Sequence, residues 1–311
     1  MSQIASTFEA LDHRPTPRAS AKRAWRLARA YPLGAIALSL LVIIVLTSVF
    51  ASAIAPYSPT ESDGLATLNT PSGEHYFGTD RLGRDVFSRV IYGSRVSLGV
   101  GFMAVIFAGA VGVPIGLFGG FFGGIVDALL MRLTDALMAI PGLLLALTLV
   151  LVLEPSVFTV ALALGIGALP GYVRVVRSRV LSLRSADFIL AAHSVGASSA
   201  RIIFRHILPN TTAPIIVVAS LSMGGAVLAE AGLSFLGVGV RPPTPTWGAM
   251  LNDSFSLIYI SPWLMLPPGL AIAILILSLN LLGDCLRDAL DPRRRGMWRR
   301  RTPFPSSAVL A

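Results

Sequence analysis

Six long apolar stretches constrain this chain more than any other feature of its sequence. Each approaches the roughly 20 residues that a helix needs to cross the hydrocarbon core of a bilayer. Their predicted bounds are 33–55, 97–119, 136–153, 156–172, 213–236 and 262–283. Charged residues make up only 13% of the chain, against about 25% in an average soluble domain. The sequence therefore predicts an all-α membrane protein with six transmembrane helices.

The basic residues lie between these stretches, and their distribution is uneven. Of the 25 lysines and arginines, 20 lie in the two terminal segments and in the second-to-third and fourth-to-fifth connections. The other three connections hold the remaining five. Because cytoplasmic loops carry the excess of Lys and Arg, both termini are predicted to be cytoplasmic. The net charge of +9 thus indicates membrane topology rather than nucleic-acid binding.

These features divide the chain into four predicted parts. Residues 1–30 form a cytoplasmic tail, and residues 31–96 form the first transmembrane helix with an outer loop. Residues 97–284 form a five-helix core that includes a cytoplasmic loop over 173–212. Residues 285–311 form a second cytoplasmic tail.

The outer loop after the first stretch is predicted to contain a helix over residues 79–95, capped by Thr79 or Asp80. Asp85 has an arginine four residues away on each side, a spacing that favours ion pairs along one helix face. This helix is expected to be either a surface helix with a solvated charged face or a structured outer gate or docking element.

The cytoplasmic loop carries the most informative pattern. Asp187 can begin a short helix, and Gly196 can end it because glycine adopts the left-handed conformation without strain. Apolar and small residues stand between and beside them: Phe188, Leu190, Ala191, Ala192 and Ala197. Apolar surface outside the bilayer should be covered, either by a groove on a partner protein or by the chain's own bundle.

A second short helix is predicted in the same loop, over residues 200–208. Ser198 or Ser199 can cap its first turn. Pro209 and Pro214 are then expected to mark the turn into the fifth apolar stretch.

Four segments of the chain, in order, resemble signatures of bacterial ABC-importer permeases. The cytoplasmic loop is similar to the EAA loop of that family over residues 190–196 and 203–210. Three further segments resemble the outer-loop, fifth-span and C-terminal signatures of "C"-type dipeptide and oligopeptide permeases: 75–89, 230–248 and 280–293. The resemblance covers about residues 30–295. Leu190 stands where the EAA pattern has Glu, which removes a possible charged contact.

The resemblance implies a type I, MetI-like permease bundle in the bacterial inner membrane, importing di- or oligopeptides. It implies that a coupling helix contacts an ATPase subunit through Asp187, Phe188, Leu190, Ala191, Ala192, Gly196 and Ala197. The implied partners are a second homologous permease, two ABC ATPase subunits, an extracytoplasmic substrate-binding protein and membrane lipid. The only lysine, Lys22, lacks the glycines of a P-loop, so ATP-Mg is expected in partner subunits and no cofactor in this chain.

Glu230 is the main ionisable residue within a predicted span. It is expected either to line or gate the substrate path or to bond to a neighbouring helix or subunit. The four histidines show no metal-ligand spacing, and no catalytic constellation is visible, so neither a metal site nor enzyme activity is expected. The alternatives are the same architecture with nickel, glutathione or oligosaccharide as cargo, and a stand-alone secondary transporter that uses Glu230.

Overall fold

The computed structural model describes residues 31–290, which form helices joined by turns, with one isolated β-bridge. The predicted cytoplasmic tail over 1–30, and residues 291–311 of the other predicted tail, lie outside this range. In chain order the α-helices are α1 Pro32–Val49, α2 Ala51–Ile54, α3 Val86–Phe122, α4 Gly124–Met138, α5 Gly142–Leu153, α6 Val157–Arg184, α7 Asp187–Ser194, α8 Ser199–Phe235, α9 Trp247–Phe255 and α10 Leu266–Leu290. A π-helical turn, Ile202–Ile207, lies inside α8.

Five of these helices are long and apolar enough to cross a membrane: α1, α3, α6, α8 and α10. Helices α4 and α5 meet the criterion only as a pair, and they are bent by 84° relative to each other. The predicted third span, 136–153, is therefore not one straight helix. It breaks before Pro141, which stands at the N-cap of α5, because proline cannot continue the preceding helix. The all-α membrane fold is confirmed, with five spans or six when the bent pair is counted.

Helices α3 and α6 pack closely because glycines let their backbones approach each other. A Cβ atom added at Gly116 of α3 would lie only 2.7 Å from the carbonyl oxygen of Val173. In the other direction, a Cβ at Gly165 of α6 would lie 2.9 Å from the carbonyl oxygen of Ala104. Small residues permit such contacts between membrane helices, where van der Waals packing drives association.

Several helices extend beyond the apolar stretches that predict them. Helix α6 continues past residue 172 to Arg184, and α8 begins at Ser199. Much of the predicted cytoplasmic loop 173–212 is therefore helical. Pro209 and Pro214 do not mark a turn as predicted, because both are accommodated within the continuous helix α8.

Candidate coupling surface and translocation path

Helix α7 connects the ends of α6 and α8 and packs one face against the bundle. Ile189 is completely buried and Ala192 nearly so. Both belong to an apolar cluster with Leu117 and Phe121 of α3 and Val180 of α6, and further members come from α8. The short helix is thus fixed to three long helices at once.

The rest of the surface of α7 is largely exposed. Phe188 is 45% exposed and Leu190 is 53% exposed, and Val195 directly after the helix is 84% exposed. The interpretation that α7 packs against the chain's own bundle is therefore confirmed for one face, whereas its coverage by a groove on a partner protein stays a prediction.

Backbone hydrogen bonds define the end of α7. Gly196 adopts a positive φ of 76° and donates its N–H to the carbonyl of His193 at 2.9 Å. The N–H of Ala197 donates to the carbonyl of Ala192 at 3.1 Å. This pair of bonds is the Schellman motif, and its left-handed position favours glycine. The predicted helix stop at Gly196 is confirmed.

The structure brings all seven predicted coupling residues into one segment, residues 187–197, which we call the coupling segment. Asp187 lies in the first turn of α7, while Ala186 occupies the N-cap position. Ala191 and Gly196 are exposed, and Ala197 is half-buried. The role of these residues in contacting an ATPase stays a prediction.

Glu230 lies fully buried in α8, with both carboxylate oxygens accepting hydrogen bonds. The hydroxyl of Ser97 in α3 donates to Oε2 at 3.1 Å. The hydroxyl of Ser234, one turn further along α8, donates to Oε1 at 2.7 Å. Glu230 thus ties α8 to α3, and a role in the substrate path stays a prediction.

A groove with a volume of about 270 Å³ opens between α5, α6 and α8. Nine small or apolar residues line it: Gly142, Leu143, Leu164, Gly167, Ala168, Ser222, Gly225, Ala226 and Ala229. Glu230 is absent from this lining, although it neighbours Ala229 in the chain. The groove was not predicted from the sequence, although the small residues of α8 at helical spacing from 222 to 229 were a signal for it.

On the predicted outer side, residues 79–85 form a tight turn, and α3 begins only at Val86. The predicted helix over 79–95 is therefore wrong in its start. The Asp80 carboxylate accepts hydrogen bonds from the backbone N–H groups of Leu82 and Arg84, at 2.9 and 3.0 Å, which closes a turn in place of a helix. Asp85 instead caps α3 by accepting the N–H of Ser88 at 2.7 Å.

The predicted ion pairs of Asp85 with its flanking arginines are replaced by a network around Asp80. The Asp80 carboxylate lies 2.6 Å from Nε of Arg84 and 3.5 Å from Nε of Arg89. Arg84 also lies 3.6 Å from Asp253 of α9, and Asp85 pairs with His75 at 3.0 Å. Because Arg84 and Arg89 are buried, this segment is not a solvated charged face. We call residues 56–85 together with α9 the outer platform.

Two ion pairs that the sequence analysis did not foresee hold α4 against α6. The guanidinium of Arg177 binds Asp127 with two hydrogen bonds of 2.5 and 2.6 Å. Arg174, one turn earlier in α6, lies 2.7 Å from Asp135. Within residues 31–290, no group of three or more His, Cys, Asp or Glu side chains is arranged to hold a metal ion.

Two family profiles match the sequence. Residues 112–296 match the profile described as the inner membrane component of binding-protein-dependent transport systems. Residues 21–71 match the N-terminal transmembrane domain of oligopeptide transport permease C. The chain belongs to the family of binding-protein-dependent transport permeases.

Relatives and a solved structure agree with this membership. The chain is 43% identical to the dipeptide transport system permease protein DppC of Alkalihalophilus pseudofirmus, over 88% of this chain and 90% of that protein. It is 42% identical to the glutathione transport system permease protein GsiD of Escherichia coli O6:K15:H31, with the same coverage. A chain of the inward-facing MetNI methionine ABC transporter matches the fold with a TM-score of 0.53 and 17% identity, over 65% of this chain and 96% of that one.

For this permease family member, the comparisons confirm the predicted class of transport subunit and the predicted multi-pass location in the inner membrane. A component of such a system works with ATPase and substrate-binding partners. The fold also matches the predicted MetI-like bundle.

Proposed function

We propose that the chain is the "C"-type permease subunit of an ABC importer that translocates di- or oligopeptides into the cell. The observation that carries the cargo assignment is the 43% identity to one DppC and the 40% identity to the DppC of Haemophilus influenzae, each over most of the chain. The match to the N-terminal domain of oligopeptide permease C supports the same class. The similarity to GsiD makes glutathione, itself a modified tripeptide, the second candidate cargo.

The groove supports a two-permease assembly. It opens along the bundle between α5, α6 and α8, and its lining is apolar except for Ser222. A second homologous permease would close this open side, so that each subunit supplies half of a path. Glu230 would act on this path indirectly, because it holds α8, whose small residues line the groove, against α3.

We place both termini and the coupling segment in the cytoplasm. There the coupling segment would contact an ATPase subunit. Its exposed apolar face is the kind of surface that a partner groove covers. Its buried face packs against α3, α6 and α8, so a displacement of α7 by an ATPase would be transmitted to all three helices. Two ATPase subunits would bind ATP-Mg and close on it, while a binding protein delivers cargo on the side of the outer platform. Leu190 would make an apolar contact where the family pattern has a charged one.

Reconstitution of the complex tests this assignment. The tagged chain is expressed with its neighbouring genes, extracted in mild detergent and examined for co-purifying proteins. We expect a second permease and two P-loop ATPases, and ATPase activity in proteoliposomes that rises when binding protein and dipeptide are added. Stimulation by glutathione alone would transfer the assignment to that cargo, and stimulation by nickel alone would exclude peptides. Recovery of a lone chain that transports without ATPases would support the secondary transporter instead.

A further inference from the structure

Helix α8 changes its hydrogen-bond register just after the coupling segment. Residues Ile202–Ile207 form a π turn, a type of helical turn whose hydrogen bonds join residues five apart instead of four. At its end, the N–H of Leu208 donates to the carbonyl of Ile203. Because an α-helical hydrogen bond joins residues only four apart, the π turn holds one residue more than an α-helical turn would.

Proline alone does not account for this wide turn, although Pro209 stands two residues after it. Pro114, Pro170 and Pro214 lie inside α3, α6 and α8 without any π turn around them. At Pro214 the carbonyl that loses its N–H partner belongs to Asn210, and the Nε of Arg179 donates to it at 3.4 Å. This chain thus accommodates other prolines in α-helical geometry.

Packing gives a better reason for the wide turn. Ile202 and Ile207 are both completely buried, and they stand five residues apart, the spacing that a π turn brings to one side. With Ile203 they belong to the same apolar cluster as Ile189 and Ala192 of α7. The widened turn and the coupling segment are therefore shaped by one set of contacts.

We propose that the π turn absorbs one extra residue, so that the coupling segment keeps the rotational position relative to the membrane part of α8 that an uninterrupted α-helix would give it. Residues 202–207 would then be a positioning element for coupling, which rests on the proposed contact between this segment and an ATPase. Since each residue turns an α-helix by about 100°, a helix with one residue too many or too few would point the coupling segment in a different direction.

A matched pair of single-residue deletions tests this proposal in the whole transport complex. Arg205 is exposed within the π turn, and Thr212 is exposed in the α-helical part that follows. Without Arg205, Leu208 stands four residues after Ile203, so their hydrogen bond would close an α turn and leave both flanks in place. Deletion of Thr212 removes one residue from regular α-helix. It would rotate the part of the chain before residue 212, including the coupling segment, by about 100° relative to the rest of α8.

We expect the Arg205 deletion to retain peptide-stimulated ATPase activity and uptake, and the Thr212 deletion to lose both or to fail in assembly. Arg205→Ala and Thr212→Ala control for the side chains, and co-purification reports assembly. An Arg205 deletion that is unassembled or unstimulated would overturn the proposal, as would wild-type stimulation of the Thr212 deletion. Absence of peptide stimulation in the wild-type complex would instead refute the proposed function.

Discussion

The coupling segment and the outer platform lie near opposite ends of α3, which begins at the platform and ends beside α7. At the platform, the buried guanidinium groups of Arg84 and Arg89 are paired with Asp80. At the coupling segment, apolar groups such as Leu190 are exposed and unpaired. Buried charges need their partners within the chain, whereas exposed apolar groups gain theirs on association. The platform is therefore expected to serve the stability of this chain, and the coupling segment its assembly.

Replacing Asp80 is expected to have the largest effect on stability. Asp80→Ala leaves Arg84 and Arg89 buried without the carboxylate and removes the acceptor that closes the 79–85 turn. Breaking a buried ion pair in this way costs about 3–5 kcal/mol. Thermal unfolding of the purified chain in detergent measures the loss, with Asp80→Asn as the control that keeps one acceptor oxygen. An unchanged unfolding temperature for Asp80→Ala would show that the network is not what holds the platform together.

Charge on the open face of α7 should produce the opposite pattern. Leu190→Asp places a carboxylate on exposed surface, so the unfolding temperature should stay close to that of the unaltered chain. Truncation of a central contact residue costs an interface about 2 kcal/mol or more, so ATPase co-purification and peptide-stimulated hydrolysis should both fall. Ser199→Asp is the matched control, because Ser199 is exposed just beyond the segment. Full co-purification of the Leu190 variant would remove this face from the proposed interface.

The sequence predicted the coupling segment better than the platform, and the reason is physical. Helix α7 begins and ends through local signals, an acidic residue in the first turn and Gly196 after the last, which a reader of the sequence can see. The platform turn depends on Asp80 bonding to backbone N–H groups and on contacts with the distant Asp253. The spacing of four residues predicted ion pairs between Asp85 and its flanking arginines. In the structure Asp85 instead pairs with His75, and Arg89 pairs with Asp80.

Helix lengths were underestimated for a related reason. Hydropathy reports which part of a helix contacts lipid, so the prediction of the fourth span ended at residue 172. The helix continues because Arg174 and Arg177 pair with carboxylates on α4. Val176 and Val180 also pack into the apolar cluster that contains Ile189 of α7. The α4–α5 bend was hidden in the same way, since the residues around Pro141 are apolar on both sides.

The bonds to Glu230 offer an intermediate test, because this carboxylate is buried at the interface of two membrane helices. Glu230→Leu leaves the hydroxyls of Ser97 and Ser234 without their acceptor, whereas Glu230→Gln keeps an amide oxygen that can accept. Hydrogen bonds between membrane helices contribute about 0.6 kcal/mol on average, so the Leu variant should lose about 1 kcal/mol and the Gln variant less. Thermal unfolding measures both. If Glu230→Gln instead abolishes uptake at unchanged stability, the carboxylate takes part directly in transport.

The smallest effects are expected for the two α4–α6 ion pairs. Comparing them tests the effect of burial at one location in the molecule. Both lie at the same end of the bundle as the coupling segment, but the Arg177–Asp127 side chains are 32% and 17% exposed and the Arg174–Asp135 side chains 53% and 61%. Exposed ion pairs contribute about 0–1 kcal/mol and are weakened by salt, whereas partly buried pairs are screened less. Double-mutant cycles of each pair, measured by unfolding at low and high salt, should give a larger and less salt-sensitive coupling energy for Arg177–Asp127. Equal coupling energies would mean that burial does not determine how much an ion pair stabilises this chain. Burial could then not explain why the platform, and not the coupling segment, is expected to stabilise it. A larger value for Arg177–Asp127 shows instead that even at the end of the molecule that presents an open apolar face, charged groups stabilise the chain in proportion to their burial.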